Sequence, residues 1–310
     1  MTFTVNRELP FSSHHTHVLD KEAVAERFRQ RQARVEYVCR GKPHWTLPKT
    51  LRDWIFYAPK HNILVCITPK IASSTWLTHL IHLRGLYPNV TNFHTNFWRN
   101  KIKGRVLLGT KEMRRRFNNS SSVTIMTVRH PLSRLVSAFK DKFRDGNELV
   151  KATHPKKYKL FWLPALRSLG KRKKAPIQFT FAEFLQFALY TRPNDRHWRS
   201  VGQVCSPCGL SYQYILMLET FNQDLAYLAM TLNITRAISI HKHKNKKGEG
   251  TTDDTRITGP TDHLSLDPAY LKYYLQLPPR LLANVIKKYK LDLDLFGYKI
   301  PPALVNRTRI

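Results

Sequence analysis

The segment Thr68–Trp76 carries residues suited to binding a small anion. Its sequence, TPKIASSTW, places one lysine before a group of small and hydroxyl residues. It follows Ile63–Thr68, an apolar, β-rich run typical of a buried parallel strand, and helical sequence continues at Trp76–Arg84. At such a turn, backbone N–H groups and the helix dipole converge on a phosphate or sulfate. The glycines of the GxxxxGKS/T loop are absent, which disfavours a nucleoside triphosphatase.

A second cationic motif follows the next apolar run. Val123–Val128 (VTIMTV) is typical of a buried strand, and the sequence RHP leads from it into helical sequence at Leu132–Phe143. Proline fits the first turn of a helix because its missing N–H is not needed there. Since open α/β sheets bind ligands at the carboxyl ends of their strands, Arg129 and Ser137 are candidates for holding a second phosphate.

The order of these elements predicts an α/β fold. We expect a third strand at Tyr214–Leu218, a helix around Phe221–Leu232, and helical sequence at 267–290 broken by a Pro-Pro pair. Strands that alternate with helices indicate a mainly parallel sheet. The expected fold is therefore a P-loop-like central parallel sheet flanked by helices, with basic loop insertions at Lys151–Lys174 and His241–Arg256.

The overall charge indicates a polyanionic partner. The chain has 310 residues, with 52 Lys and Arg against 21 Asp and Glu, a formal net charge of +31. With 42% hydrophobic residues it can bury a core. The charge argues against an ordinary neutral metabolic enzyme and favours nucleic acid, an anionic membrane surface or an acidic polysaccharide. The sequence has no C2H2 spacing and no RNP-like aromatic signature, which weakens the case for nucleic acid.

Taken together, the motifs resemble those of the Golgi carbohydrate sulfotransferases of the chondroitin and dermatan 4-O-sulfotransferase type. The family's PKxAxxxW loop and its RxPxxRLxSA(F/Y)xxKF segment both match this chain. A third match lies at Asn194–Glu219, where HW, CSPC, a tyrosine and ET follow in the family's order. The sequence YKLDLDLFGY at Tyr289–Tyr298 is similar to the family's C-terminus. The resemblance covers roughly residues 35–300.

This resemblance implies transfer of a sulfuryl group from 3′-phosphoadenylyl sulfate (PAPS) to a glycan hydroxyl, expected to be the GalNAc 4-OH of chondroitin or dermatan. By the family's pattern, Lys70 contacts the 5′-phosphosulfate and stabilises the leaving phosphate, while Arg129 and Ser137 bind the 3′-phosphate. The other residues expected to bind the donor are Pro69, Ile71, Ala72, Ser73, Ser74, Thr75 and Trp76. No metal is implied. The alternative is a non-catalytic basic protein that binds glycosaminoglycan or nucleic acid.

The acceptor hydroxyl also needs a general base. His94 lies between the two donor motifs, as a histidine does in the family, and His197 belongs to the HW pair. A carboxylate that the sequence does not identify is the third option. The chain departs from the family at His130, where an acidic residue is usual, and at Ser73–Thr75, where a C-T-N-like triplet is usual. We expect these departures to affect acceptor choice more than donor binding.

The cysteines bear on structure and compartment. Without a second CxxC pair, a zinc site is disfavoured. We expect Cys205 and Cys208 to be structural, bonded to each other or to Cys39 or Cys66. The resemblance implies a type II membrane protein of the Golgi lumen, with an N-terminal anchor outside this sequence and an acidic glycan, not nucleic acid, as its partner. The sequence has five N-glycosylation sequons, at Asn89, Asn118, Asn119, Asn233 and Asn306.

We divide the chain into two parts. Residues 1–40 are expected to form a basic helical stem, with an amphipathic helix at 20–38, and residues 41–310 to form the sulfotransferase domain.

Overall fold

The computed structural model describes residues 19–40, 51–85, 110–170, 177–235, 238 and 264–308. Its sheet has four strands in the order β1–β2–β3–β4: Ile55–Ala58, Ile63–Cys66, Val123–Val128 and Tyr214–Met217. β1 is antiparallel to β2, and the other two pairings are parallel. The prediction of a mainly parallel sheet flanked by helices is confirmed, whereas the edge strand β1 was not predicted.

Helices cover both faces of this sheet region. In chain order they are α1 Lys21–Arg40, α2 Ser73–Leu83, α3 Thr110–Phe117, α4 Pro131–Phe143, α5 Asn147–Thr153, α6 Pro155–Lys157, α7 Leu163–Ser168, α8 Phe181–Gln186, α9 Val201–Cys205, α10 Phe221–Thr231, α11 Pro268–Leu275, α12 Pro279–Phe296 and α13 Pro302–Thr308. Turns of π-helix lie at Tyr158–Trp162 and Phe187–Thr191, and 3-10 turns at Leu51–Asp53, Pro59–His61 and Leu218–Thr220. None of the helices within the described ranges is long and apolar enough to cross a membrane.

Strand register brings three loops to one edge of the sheet. Cys66 pairs with Met126, and Val128 pairs with Met217. Because β2, β3 and β4 run parallel, the chain leaves all three strands at the same edge, first toward Pro69, then toward Arg129 and last toward Glu219. The side chains of β2 are fully buried, as expected of a central parallel strand.

The first helix packs onto this domain. Val24 and Phe28 are buried beside sheet residues, and Arg31 pairs with the buried Asp224 at 2.7 Å. A disulfide joins Cys39, near the end of α1, to Cys208. The helix predicted at 20–38 is thus present as α1 and contributes to the core. The division of the chain into two parts at residue 40 stays a prediction.

The prediction of an exposed basic loop at 151–174 was wrong for the part that the structure describes, up to residue 170. The chain there forms α5 to α7 with a π-helical turn between them. The four lysines at 151, 156, 157 and 159 lower the mean hydropathy, but Phe161, Trp162, Ala165 and Leu166 share one helical face and are buried. The second predicted insertion, 241–256, lies outside the described residues, and the P-loop-like layout stays a prediction.

Two disulfides connect elements that are far apart in sequence. Cys66 bonds to Cys205, and Cys39 bonds to Cys208. Cys205 and Cys208 are therefore structural, as predicted. They are not bonded to each other; each pairs with a cysteine that is distant in sequence. Cys66 ends β2 and Cys205 ends α9, so the first disulfide connects the β2–α2 loop region to the segment that follows α8.

Candidate functional site

The loop between β2 and α2 makes an unusual turn. Lys70 and Ala72 both have positive φ angles, 68° and 50°. This left-handed geometry reverses the chain so that α2 begins at Ser73. Ala72 occupies the N-cap position and makes no side-chain hydrogen bond to the helix. The first N–H groups of α2, at Ser73 to Thr75, therefore belong to a helix start with the character of an anion site.

Two of the residues predicted to bind the donor are buried in the core. Ile71 and Trp76 are 1% and 0% exposed. The indole Nε1 of Trp76 donates to Thr127 Oγ1 at 2.7 Å, which fixes the start of α2 to β3. These residues therefore shape the loop by packing, whereas Ser73, Ser74 and Thr75 are partly exposed in the first turn of α2.

Arg129 brings the second motif onto this loop. Its Nη1 donates to the backbone oxygen of Lys70 at 3.2 Å, and its Nη2 donates to Tyr270 Oη at 3.1 Å. Its guanidinium also lies 5.7 Å from the ring centre of Tyr270. Ser137 is in the second turn of α4, and its exposed fraction is 7%, the same as that of Arg129. The two motifs thus meet at the carboxyl ends of β2 and β3.

Arg134 connects the loop to a third segment. Its Nε donates to the carbonyl of Pro69 at 3.2 Å, and its other nitrogens donate to the carbonyls of Arg196 and Arg199. Burial lowers the pKa of this guanidinium to about 10, against the opposing charges of Tyr289 and Asp292. It is still charged at neutral pH. The family motif includes Arg134, but the residue type and its spacing in the motif do not show that its side chain connects the two segments.

A carboxylate that the sequence analysis missed lies beside Lys70. Asp141 Oδ2 is 3.4 Å from Lys70 Nζ and 2.9 Å from Lys142 Nζ. Burial raises the pKa of Asp141, but the charges of Lys70 and Lys142 outweigh it and lower the pKa to about 2. Asp141 is therefore ionised at neutral pH. Its position four residues after Ser137, on the same side of α4, was the available signal.

His197 lies in a compact Asp-His pair. Its Nδ1 is 2.7 Å from Asp195 Oδ1, and the same oxygen accepts from the backbone N–H of His197 at 3.0 Å. Burial lowers the pKa of His197, while Asp195 opposes that shift. Phe161, from the helical segment 155–168, meets the imidazole edge to face at 5.3 Å between ring centres. The other predicted base, His94, lies outside the described residues.

His130, where the family usually has an acidic residue, caps α4. Its Nδ1 accepts from the N–H of Leu132 at 3.2 Å, and its Nε2 lies 3.1 Å from the carbonyl of Lys299. Its backbone N–H donates to Glu219 Oε1 at 2.8 Å. Burial lowers the pKa of His130 to about 4, so the ring is neutral. An imidazole nitrogen thus does the capping that a carboxylate would do at this position.

The fold and this site define a class: an α/β protein with cationic groups gathered at the carboxyl edge of a parallel sheet. In the part of the chain that is described, no cluster of three or more His, Cys, Asp or Glu side chains is arranged to hold a metal ion. The model of the sulfotransferase family matches residues 53–299, well over half of the chain. The chain belongs to the sulfotransferase family, and the prediction of a sulfotransferase is confirmed.

Curated relatives of the chain have related names. Carbohydrate sulfotransferase 10 of Gallus gallus is 25% identical over 285 residues, covering 86% of this chain and 72% of the relative. Carbohydrate sulfotransferase 14 of Danio rerio is 28% identical over 284 residues, covering 87% and 71%. Carbohydrate sulfotransferase 12 of Xenopus laevis is 25% identical over 292 residues, covering 84% and 63%. No solved structure matches the chain at a significant level.

Proposed function

We propose that this sulfotransferase transfers a sulfuryl group from PAPS to a hydroxyl of a glycan, with the GalNAc 4-OH of chondroitin or dermatan as the expected acceptor. The observation that carries the proposal is the junction of Arg129 with Lys70 at the carboxyl ends of neighbouring parallel strands. The family match and the carbohydrate sulfotransferase names of the relatives support it.

The donor is a small molecule with several negative charges, and each of the two motifs binds a different charged group of it. Lys70 and the N-terminus of α2 hold the 5′-phosphosulfate, because a cation and the positive end of the helix dipole converge there. Arg129 and Ser137 hold the 3′-phosphate through charge-assisted hydrogen bonds. In this proposal, Lys70 leaves its ion pair with Asp141 when the donor binds. Part of the attraction between Lys70 and the phosphosulfate therefore offsets the loss of that ion pair.

The reaction is an in-line transfer. The acceptor oxygen forms a bond to sulfur, the bond from sulfur to the 5′-phosphate oxygen breaks, and the acceptor proton passes to a base. Charge builds up on the leaving phosphate, where the ammonium of Lys70 stabilises it. Positioning of donor and acceptor supplies most of the remaining rate acceleration. His94 and His197 are the proposed bases.

The acceptor side is basic. The exposed side chains of Lys151, Lys156 and Lys159 lie on or next to α5 and α6, in the segment whose Phe161 contacts His197. An uronate-bearing or sulfated glycan is attracted to such a surface, and the attraction weakens with salt. The two disulfides fit an oxidising compartment, which supports a Golgi lumen location for the enzyme.

The direct test is transfer of label from ³⁵S-PAPS to a panel of desulfated glycosaminoglycans by wild type, Lys70→Ala and Lys290→Ala. Lys290 is exposed and, among the residues that the structure describes, pairs with Asp294 on its own helix, so it is the matched control. We expect Lys70→Ala to lower turnover by about 10²- to 10³-fold, with Lys290→Ala unchanged. Absence of transfer by wild type to every glycan, or full transfer by Lys70→Ala, contradicts the proposal.

A non-catalytic polyanion-binding protein is the alternative that the net charge of +31 favours. Titration with 3′,5′-ADP separates the two functions. A PAPS-dependent enzyme melts at a higher temperature in its presence because the nucleotide binds only the folded state. A protein that merely holds polyanions shows no response to this nucleotide beyond that to an equal concentration of inorganic phosphate.

A further inference from the structure

We infer that Asp195 is the positioning residue of the general base: it holds the proton of His197 on Nδ1 and leaves Nε2 free to take the proton of the acceptor hydroxyl. This inference rests on the proposed function and selects His197 among its candidate bases. It assigns a role to a carboxylate that lies outside the motifs by which the donor site is recognised.

The geometry of the pair is specific. One oxygen of Asp195 accepts both from His197 Nδ1, at 2.7 Å, and from the backbone N–H of the same residue, at 3.0 Å. The side chains of Asp195 and His197 are only 10% and 9% exposed. A carboxylate accepts hydrogen bonds but does not donate them when ionised, so the imidazole proton must be on Nδ1. Within the described residues, no hydrogen bond to Nε2 is found.

The electrostatic surroundings keep both partners in the required states. Burial raises the pKa of Asp195, but its hydrogen bonds with His197 outweigh this and lower the pKa, so the carboxylate is ionised at neutral pH. The pKa of His197 is lowered first by burial and then by Lys142 and Arg196, against the effect of Asp195. Asp141 on α4 also interacts with His197. A neutral imidazole beside a carboxylate is a competent base at neutral pH.

Asp141 is a poorer base than His197 although it also lies in the site. Its pKa of about 2 leaves it ionised but with little tendency to take a proton, because Lys70 and Lys142 stabilise its charge. A general base works best when its pKa is near the operating pH. The carboxylate therefore serves as the resting partner of Lys70, and the imidazole is the better proton acceptor.

Contacts also connect the Asp-His pair to the donor loop. Arg134 donates to the carbonyl of Pro69 on one side and to those of Arg196 and Arg199 on the other. His197 is thus in a segment whose backbone is held by the same guanidinium as the loop before Lys70. When the acceptor oxygen bonds to sulfur and the bond to the 5′-phosphate breaks, its proton moves to Nε2, and Asp195 stabilises the resulting imidazolium.

The test compares Asp195→Asn, His197→Ala, wild type and the control Asp294→Asn, which makes the same chemical change on an exposed part of α12. We expect His197→Ala to lower turnover by about 10²- to 10⁴-fold. Asp195→Asn should lower it by about 10-fold or more, since the amide no longer enforces the Nδ1 proton. The affinity for 3′,5′-ADP and the turnover of Asp294→Asn should not change.

The pH–rate profile distinguishes a positioning role from a structural one. Because Asp195 raises the pKa of His197, its loss should move the acidic limb of the profile to lower pH, by about one pH unit. A variant that is only less stable loses rate without moving this limb. An unmoved limb in Asp195→Asn, or an acidic limb that vanishes in His94→Ala and persists in His197→Ala, overturns the inference while the proposed function stands.

A measurement on wild type covers the case in which Asp195→Asn does not fold. The ¹⁵N shifts of histidine-labelled protein, with His197 assigned from His197→Gln, report which ring nitrogen carries the proton. We expect Nδ1–H at neutral pH. Dominance of Nε2–H contradicts the inference, and failure of wild type to transfer sulfate contradicts the proposed function instead.

Discussion

Two buried histidines, in two regions of the molecule, are held in opposite ways. His130 lies at the start of α4 and uses both ring nitrogens: Nδ1 accepts from Leu132 and Nε2 donates to the carbonyl of Lys299. His197 lies after α8 and binds Asp195 through Nδ1, with no hydrogen bond found at Nε2 among the described residues. The first ring has no nitrogen left for chemistry, whereas the second has one.

Burial alone therefore does not separate a structural histidine from one with a ring nitrogen available for chemistry. As whole residues both are at most 7% exposed, and burial lowers the pKa of each. What differs is the partner: backbone groups at His130 and a carboxylate at His197. A carboxylate stabilises an imidazolium as it forms, but a backbone N–H that donates to the ring opposes one. In the proposed mechanism, the region of His130 therefore provides rigidity and that of His197 takes part in proton transfer.

The two regions also differ in how they are held. The start of α4 continues directly from β3, so the sheet fixes it. The segment before α9 has no strand to fix it and depends on distant contacts. Asp292 accepts from Ser200 Oγ and from the N–H groups of Val201 and Gly202, all within 3.0 Å. The disulfide from Cys205 to Cys66 adds a covalent connection.

The largest predicted effect tests that covalent connection. Removing either disulfide, as Cys66→Ala/Cys205→Ala or as Cys39→Ala/Cys208→Ala, should lower the free energy of unfolding by about 4 kcal/mol, since the sequence separations of 139 and 169 are similar. Urea unfolding measures this. Only the first variant should also lose turnover at temperatures where it is folded, because only its disulfide connects the strand before Lys70 to the helix that follows His197.

The second disulfide is the matched control for that comparison. The Cys39–Cys208 bond fixes the end of α1 and includes no residue of β2. Equal losses of turnover in the two folded variants would mean that the segment of His197 does not depend on its covalent connection to β2.

The second prediction separates the two histidines by pH. The pKa of His130 is about 4 in the folded protein against an ordinary 6.5, so the folded state binds fewer protons between these values and stability falls as pH falls through that window. From pH 7 to pH 5 the loss is about 2 kcal/mol. His130→Asn keeps a capping oxygen and does not titrate. We therefore expect its free energy of unfolding to fall by about 2 kcal/mol less than that of wild type between pH 7 and pH 5.

Chemical unfolding at both pH values measures this difference, with the exposed His61→Asn as the control. The acidic limb of the pH–rate profile should be the same in His130→Asn as in wild type. A displaced limb would show that His130, and not only His197, takes part in proton transfer.

The sequence predicted best what local patterns determine. Val123–Val128 was predicted with its observed bounds, because a run of buried β-branched residues before Arg-His-Pro indicates a strand and a helix start without reference to distant residues. The meeting of Lys70 and Arg129 followed from parallel strands whose ends share an edge. These features depend on periodicity and topology, which a single sequence records.

What the sequence could not predict depends on contacts between distant residues. Asp141 pairs with Lys70, a residue far from it in sequence that folding brings close. Asp195 is only two residues from His197, but the sequence does not record the loop conformation that puts its carboxylate on the imidazole. Basic residues hid the helical face of Phe161 and Trp162, because mean hydropathy averages a buried side with an exposed one. The cysteine pairings were likewise open until the fold placed Cys66 beside Cys205.

The smallest predicted effect concerns the support of Arg129 in the donor region. Tyr270→Phe removes the hydroxyl that accepts from Arg129 Nη2 but keeps the ring below the guanidinium. The loss of one hydrogen bond is worth about 1 kcal/mol, so the affinity for 3′,5′-ADP should fall about fivefold. Turnover at saturating donor should not change, because the imidazole of His197 is held by other residues. Calorimetric titration measures the affinity. The control is Tyr273→Phe, three residues further along α11. If turnover fell while the affinity stayed the same, Tyr270 would support the acceptor side of the proposed site. Donor binding and proton transfer would then not depend on separate sets of residues.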